Sequence, residues 1–300
     1  MKSSFAHLGG FGKLLLLVML VFISYIVFSL VAFLAAMPFM DFSLTDPSQM
    51  VSSTGALRYF QIVQSISAFI IPSLLAGYLF WGHHTRGIGF FHPRGVMLIL
   101  SFLVIVTAQP LVSYLGIWNN QMQLPEFMQG LEQWMQQSED NARDIIFRLL
   151  DTPETGLVVL NLLMIAVLPA LGEEMLFRGT LQPIFHQWSR SKHLAVWITA
   201  FLFSAIHLQF FTFLPRFFLG LALGYLMIWG KNIWYPVAGH FANNLLSLIV
   251  FYYYRHTQPE MNPLEPGGEE LSPVWLIPGL ILTIVLLGRF YVKGHYSSKK

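Results

Sequence analysis

The 300-residue sequence contains no cysteine, which excludes disulfides, thiolate nucleophiles and any zinc site built on sulfur. Charge is scarce as well. Only 11% of the residues are Asp, Glu, Lys or Arg, against about 25% in a soluble domain. The net charge of +2 and the want of a basic run outside the tail argue against nucleic acid as a partner. Two hydrolase signatures are missing, since neither His-Glu-x-x-His nor Gly-x-Ser-x-Gly occurs; the zincin helix and the nucleophile-elbow serine therefore have no support. No internal repeat, low-complexity segment or linker divides the chain, so one membrane domain over 1–300 is expected.

What is abundant is apolar. Hydrophobic residues make up 55% and aromatic residues 15% of the chain, and the mean hydropathy is +0.59. These values define an all-α, polytopic membrane bundle. Three apolar runs, 14–39, 56–81 and 96–118, come near the ~20 residues that cross hydrocarbon, and they make an N-terminal region over 1–118. The first run exceeds the roughly 7–15-residue core of a secretory signal and is read as a retained anchor. Pro110 lies inside the third as a kink. Between 119 and 155 Leu131, Trp134, Met135, Ala142, Ile145, Ile146 and Leu149 recur at helical spacing among Glu132, Glu139, Asp140 and Asp144, the pattern of an amphipathic helix on the membrane surface or on the bundle.

Thr152-Pro153-Glu154 reads as a cap, a first-turn proline and an acid at the positive helix end, and opens a fourth span over 157–171. Four more follow at 193–211, 213–229, 234–254 and 273–292. The region 156–254 is the core that bears the polar motifs, and 273–292 is the last span. Gly220 and Gly224 form a small-xxx-small pair of the kind that lets helices pack closely.

Charge sorts the loops. Lys2, Lys13, Lys293, Lys299 and Lys300 flank the termini, with Arg86, Arg94, Arg190, Lys192 and Lys231 in loops two, four and six. Asp41, Asp46, the acids from Glu126 to Glu154, Glu260, Glu265, Glu269 and Glu270 fall in loops one, three and seven. Basic residues mark the cytoplasmic side. Eight spans, both termini in the cytoplasm and the amphipathic segment outside are expected.

Ionised carboxylates near hydrocarbon are expensive unless paired or hydrated, yet Glu173 and Glu174 close the fourth apolar run. Glu174 and Arg178 are i,i+4 in the order that pairs best; Glu173 lies about 100° round the helix from Glu174, off that pairing face. A helix end reaching into the cytosol, with all three side chains solvated, explains the motif equally well when it is taken alone. The fifth span adds Phe203-x-x-x-His207 and the seventh His240-x-x-x-Asn244, each on one helical face. A single intramembrane histidine is more often structural. Two histidines, an asparagine and a carboxylate pair on three apolar spans are most economically explained by one buried site. Arg216, after Pro215, is a further candidate, although a snorkelling side chain explains it as well.

Taken in order, Glu173-Glu174-x-x-x-Arg178, Phe203-x-x-x-His207 and His240-x-x-x-Asn244 resemble the CAAX protease and bacteriocin-processing (CPBP, or ABI) family, which includes the Rce1-type prenyl endopeptidases. The resemblance covers about 157–251 and is closer to bacterial members, which places the chain in the cytoplasmic (inner) membrane. It implies an eight-helix intramembrane endopeptidase acting on a membrane-associated protein or peptide. By motif position Glu173 matches the water-activating glutamate and His207 its co-activator. His240 and Asn244 match the groups that steady the oxyanion, with Glu174, Arg178 and Phe203 in support.

Residue chemistry agrees: hydrolysis needs a base and donors aimed at the developing oxyanion. No cofactor is favoured, but Glu173, His207 and His240 are also a His₂Glu donor set for zinc. A non-catalytic immunity or scaffold protein and a proton-coupled transporter are the competing classes; the absence of an inverted repeat speaks against transport. On a straight reading Glu173 lies near the cytosol while His207 lies ~20 Å deep at 1.5 Å per residue, a mismatch that the tertiary structure has to resolve.

Overall fold

Every membrane-spanning backbone must satisfy its own hydrogen bonds, and in an apolar chain without strand patterning helices are the only solution. The structure, a computed structural model, describes residues 3–39, 53–152, 154–258, 260, 264 and 273–297. Among the described residues every regular element is helical and no strand occurs. Lys2, Asp41, Asp46, Pro153, Glu265, Glu269, Glu270, Lys299 and Lys300 lie outside the described residues.

Nine helices are present among the described residues: α1 Gly10–Ala36, α2 Thr54–Trp81, α3 Gly95–Asn120, α4 Gln129–Leu150, α5 Thr155–Ser189, α6 Lys192–Ala205, α7 Phe213–Gly230, α8 Trp234–Thr257 and α9 Leu276–Ser297. Six of them, α1, α2, α3, α5, α7 and α9, are long and apolar enough to cross a membrane. The other two expected spans fall on α6, which has only 14 residues, and on α8, which is 24 residues long but diluted by His240, Asn243 and Asn244. The expected amphipathic helix is α4. Outward apolar side chains, such as Phe22, Ile23 and Ile26 on α1, form the surface that lipid covers.

The chain divides into two compact units, Met1–Phe90 with Arg148–Arg190, and Phe91–Phe147 with Ser191–Lys300. In the first, α1, α2 and α5 pack together. The fourth span does not end at residue 171. α5 runs unbroken for 35 residues to Ser189, which puts Glu173 18 residues past its start. Three prolines in this unit would each strike a carbonyl four residues earlier and remove a backbone donor. Each follows a wide π-helical turn: Ser65–Ile70 before Pro72, Leu162–Val167 before Pro169, and Phe177–Leu181 before Pro183. The threatened carbonyls, those of Ala68, Ile165 and Gly179, lie inside the wide turns, where the α register is already broken. That arrangement carries α5 past Pro169 and Pro183 without ending it.

Buried polar side chains tie this unit together. Arg58 donates to the Leu149 carbonyl at 2.8 Å and to Asn161 Oδ1 at 3.3 Å. Its cation thereby meets the carbonyl-rich end of α4, where positive charge is favoured. Lys13 Nζ donates to Gln187 Oε1 at 2.9 Å.

The second unit is built on α3, which packs against α7, α8 and α9 around Val104, Ile105, Leu223, Leu226 and Phe290. Gly220 is the close-approach point anticipated from the small-residue pair: a methyl group there would stand 3.1 Å from the Ala200 Cα on α6. The basic and acidic ends of the helices in this unit are segregated. Arg94, Lys192, Lys231 and Lys293 lie at one set of helix ends, and Glu126 and Glu132 lie at or beyond the opposite end of α3.

Candidate active site

The first unit holds the carboxylates. Arg178 Nη1 donates to Glu174 Oε1 at 2.8 Å, and neither side chain is exposed. The solvated-helix-end reading is thereby excluded: the pair is buried in the middle of α5. Glu173, next to it, is only partly exposed. The motif runs directly into the π-helical turn Phe177–Leu181, where the Thr180 hydroxyl donates to the Met175 carbonyl at 3.0 Å. Single wide turns of this kind recur at functional positions because they re-aim side chains without ending a helix. Close helix approach buries the motif: a methyl on Gly172 would lie 3.0 Å from the Phe69 Cβ and 3.3 Å from Ile70, so a larger residue there would have to push α2 side chains aside.

The second unit holds the histidines and the asparagine. α6 stops at Ala205, so Phe203 and His207 are not on one continuous helical face. His207 lies in the turn beyond the helix, followed by Leu208 at φ 54°. Even so, the four-residue spacing brings the two into contact, since His207 Nδ1 lies 2.7 Å from the Phe203 carbonyl oxygen. A carbonyl only accepts, so Nδ1 carries the proton, and in the neutral ring Nε2 holds the lone pair.

Phe203 is buried and its ring meets both histidines edge-on, at 5.3 Å from His207 and 5.7 Å from His240. Within this unit His207 and His240 thus share the level of Phe203.

His240 is buried and Asn244 follows it one turn later on α8. Gly239 fits where a methyl would come within 3.0 Å of Ile105 and Leu223, which seats this turn tightly on α3 and α7. Two side chains that sequence reasoning missed hold the asparagine. Gln109 Nε2 donates to Asn243 Oδ1 at 3.2 Å, and Asn243 Nδ2 donates to Asn244 Oδ1 at 3.3 Å. This relay makes the Asn244 carbonyl an acceptor within the chain of amides and Nδ2 its donor end. Gln109, a polar side chain beside Pro110 inside an apolar span, was the sequence signal for it.

The loop after α6 has backbone groups that lie outside the helical ladder. A 14-residue helix reaches about 21 Å, short of the ~30 Å hydrocarbon layer. Buried side chains supply the missing partners. Asn119 donates to the Phe210 carbonyl at 2.8 Å and accepts from the Leu214 N–H at 2.7 Å. Glu139, on α4, accepts from the Phe211 N–H at 3.1 Å. Ser204 donates to the Phe213 carbonyl at 2.6 Å. Arg216 does not snorkel outward; it donates to Thr212 Oγ1 at 2.7 Å and to Gln209 Oε1, staying within the loop and close enough to act electrostatically on His207.

Within either unit, no three acidic or histidine side chains among the described residues gather into a metal-sized cluster. The candidate zinc donors are divided, Glu173 in the first unit and His207 and His240 in the second.

An apolar helical chain that buries a carboxylate–guanidinium pair in one unit and a histidine–phenylalanine–histidine cluster in the other is an integral membrane protein that keeps polar groups inside its bundle. Residues 155–246, a segment that contains all three motifs, match the family described as type II CAAX prenyl endopeptidase Rce1-like. No curated protein and no solved structure matches it.

Proposed function

We propose that this protein is an intramembrane endopeptidase in which Glu173 activates a water molecule for attack on a peptide bond. The observation that carries the reading is the family match over 155–246, a stretch that includes Glu173, His207, His240 and Asn244. In the proposed step the water proton passes to Glu173 and the oxygen bonds to the carbonyl carbon. His240 and the Asn244 amide stabilise the oxyanion. Collapse of that intermediate breaks the C–N bond, and the proton held by Glu173 goes to the leaving amine.

His207 assists through Nε2, the ring nitrogen left with a lone pair by the Phe203 bond. Glu174 and Arg178 form the neutral pair that supports Glu173 from the same helix. The substrate is a membrane-associated protein or peptide. We place the chain in the bacterial branch and the inner membrane, where prenylation of that substrate is not expected.

Zinc is the competing chemistry. The His207–Phe203 bond fits it too, because metal-binding histidines commonly donate their second N–H to a carbonyl. The amide relay favours the metal-free reading: carboxamides are poor zinc ligands, yet Gln109 and Asn243 orient one beside His240.

The deciding experiment incubates the purified full-length protein in lipid with prenylated and unprenylated peptides, with and without chelator, alongside a metal assay. Cleavage that survives chelation and disappears in Glu173→Gln is expected. Stoichiometric zinc whose removal stops cleavage and whose return restores it would replace the water-activation scheme by a metal-centred one. Wild-type cleavage by Glu173→Gln would remove Glu173 from the reaction.

A further inference from the structure

Remote from the histidine cluster, at the end of the second unit where α6 and α8 begin and α7 and α9 end, two cavities adjoin. One, of about 210 Å³, is lined by Lys192, Trp229, Lys231, Tyr291 and His295 among others. The second, of about 180 Å³, is lined by His92, Arg94, Lys231, Tyr235 and Lys293 among others. Both include Lys231 and Gly294, and among the described residues no Asp or Glu lines either. Four permanent cations and two histidines thus converge on one place rather than being scattered over a loop.

The walls are rigid and specifically built. Lys231 is one of three non-glycine residues with positive φ among the described residues, at 52°, a conformation that residues with a β-carbon seldom adopt. It ends α7 and places its side chain at the junction of the two cavities. Asn232 is buried, donates to the Phe91 carbonyl at 3.1 Å and accepts from the Trp234 N–H at 3.1 Å. The Arg94 N–H donates to the Tyr235 hydroxyl at 3.2 Å. At Gly294 a methyl group would fall within 3.0 Å of the Trp229 carbonyl carbon, so α9 closes on the end of α7 only through glycine.

Aromatic rings fix the level of the site. Trp229 meets Tyr291 edge-on at 5.4 Å, and Tyr291 stacks on His295 at 5.7 Å. Tryptophan and tyrosine favour the depth of lipid headgroups. From there the exposed apolar residues Val292, Val285, Ile284, Ile281 and Ile277 run along α9. Cations at headgroup level above an apolar helix face match a phosphate on a pair of acyl chains.

We propose that the paired cavities around Lys231 bind the phosphate headgroup of an anionic phospholipid, with its acyl chains along α9. The inference is independent of the proteolytic reading.

The test uses full-length protein in nanodiscs of phosphatidylcholine with a minor share of phosphatidylglycerol, followed by mass spectrometry of the lipid retained after detergent extraction. The wild type should retain phosphatidylglycerol in preference to phosphatidylcholine. A cation at an anionic surface contributes roughly a fivefold factor. The double variant Lys192→Gln with Lys231→Asn should therefore lower that preference about 25-fold; asparagine is chosen because it tolerates positive φ. Arg86→Gln, outside these cavities, should leave the preference unchanged, and unfolding temperatures should confirm that all three proteins are folded.

Equal retention of phosphatidylglycerol by the double variant and the wild type would overturn the proposal. So would equal retention of both lipids by the wild type. Glycerol phosphate and inorganic phosphate are the soluble arm. If either binds with the same lysine dependence while no phosphatidylglycerol is retained, the site takes free phosphate and the lipid assignment fails.

Discussion

At the residue scale, two adjacent glutamates differ in ways that mutation can separate. Glu174 is fully buried against Arg178 at 2.8 Å. Glu174→Gln leaves a guanidinium without its carboxylate in a buried place, a one-sided loss that costs about 3–5 kcal/mol. A clear drop in unfolding temperature in detergent is expected, with activity falling only as folded protein is lost. Glu173→Gln is nearly isosteric at a partly exposed position; its unfolding temperature should stay close to wild type while peptide cleavage disappears. A Glu173→Gln variant that unfolds like Glu174→Gln would mean that the two carboxylates act as one structural unit.

Asn244 makes the third case. Its replacement by alanine should slow turnover roughly 10²–10³-fold, the usual effect of losing one oxyanion donor. In addition, Gln109→Ala should reproduce part of that loss without touching the reacting atoms, because it breaks the relay that orients the amide. Single-turnover rates of the two variants check both statements. The i,i+4 pair was legible in the sequence because helical neighbours four apart must meet. Gln109, 134 residues from Asn243, was not.

At the scale of elements, the short helix α6 and the loop after it are the least conventional part of the fold. The apolar run 193–211 reads as one span, since hydropathy does not sense where the helical hydrogen bonds stop. The helix ends at Ala205 because buried partners take over the backbone groups beyond it. Asn119 serves the Phe210 carbonyl and the Leu214 N–H, and Glu139 serves the Phe211 N–H.

α4 thereby acquires a function that its amphipathic pattern did not reveal: it supplies an acceptor to the loop that carries His207. Glu139→Ala strands a buried N–H, at a cost of about 1–3 kcal/mol, and should lower both the unfolding temperature and the cleavage rate. Glu139→Gln keeps a carbonyl acceptor and should stay near wild type in both. Equal damage from the two substitutions would show that the charge, rather than the acceptor, matters. In α5, hydropathy ended the span at the glutamates. The wide turns before Pro169 and Pro183 carry the helix on, and nothing in residue periodicity announces them.

For the whole molecule, the distribution of charge among loops leads to the prediction that both termini are cytoplasmic and that 119–155 is outside. The cysteine-free sequence makes the check clean. A cysteine at Gln136, an exposed position on α4, should react with an impermeant thiol reagent in intact cells, and one at Ser297 should react only after lysis. The reverse pattern would invert the topology.

What the sequence by itself determined is the class of the protein, its helices, the three polar motifs and the Glu174–Arg178 pair. All of these follow from composition, from periodicity or from spacing within one helix. Only the tertiary structure decided where α5 and α6 end, that Phe203 separates two histidines at one level, and that Asn119, Glu139 and Gln109 hold the site's backbone and amides. The physical reason is one of range. Hydropathy and helical spacing are local, whereas a buried polar group takes whatever partner the packing brings to it, and for Gln109 that partner lies 134 residues away.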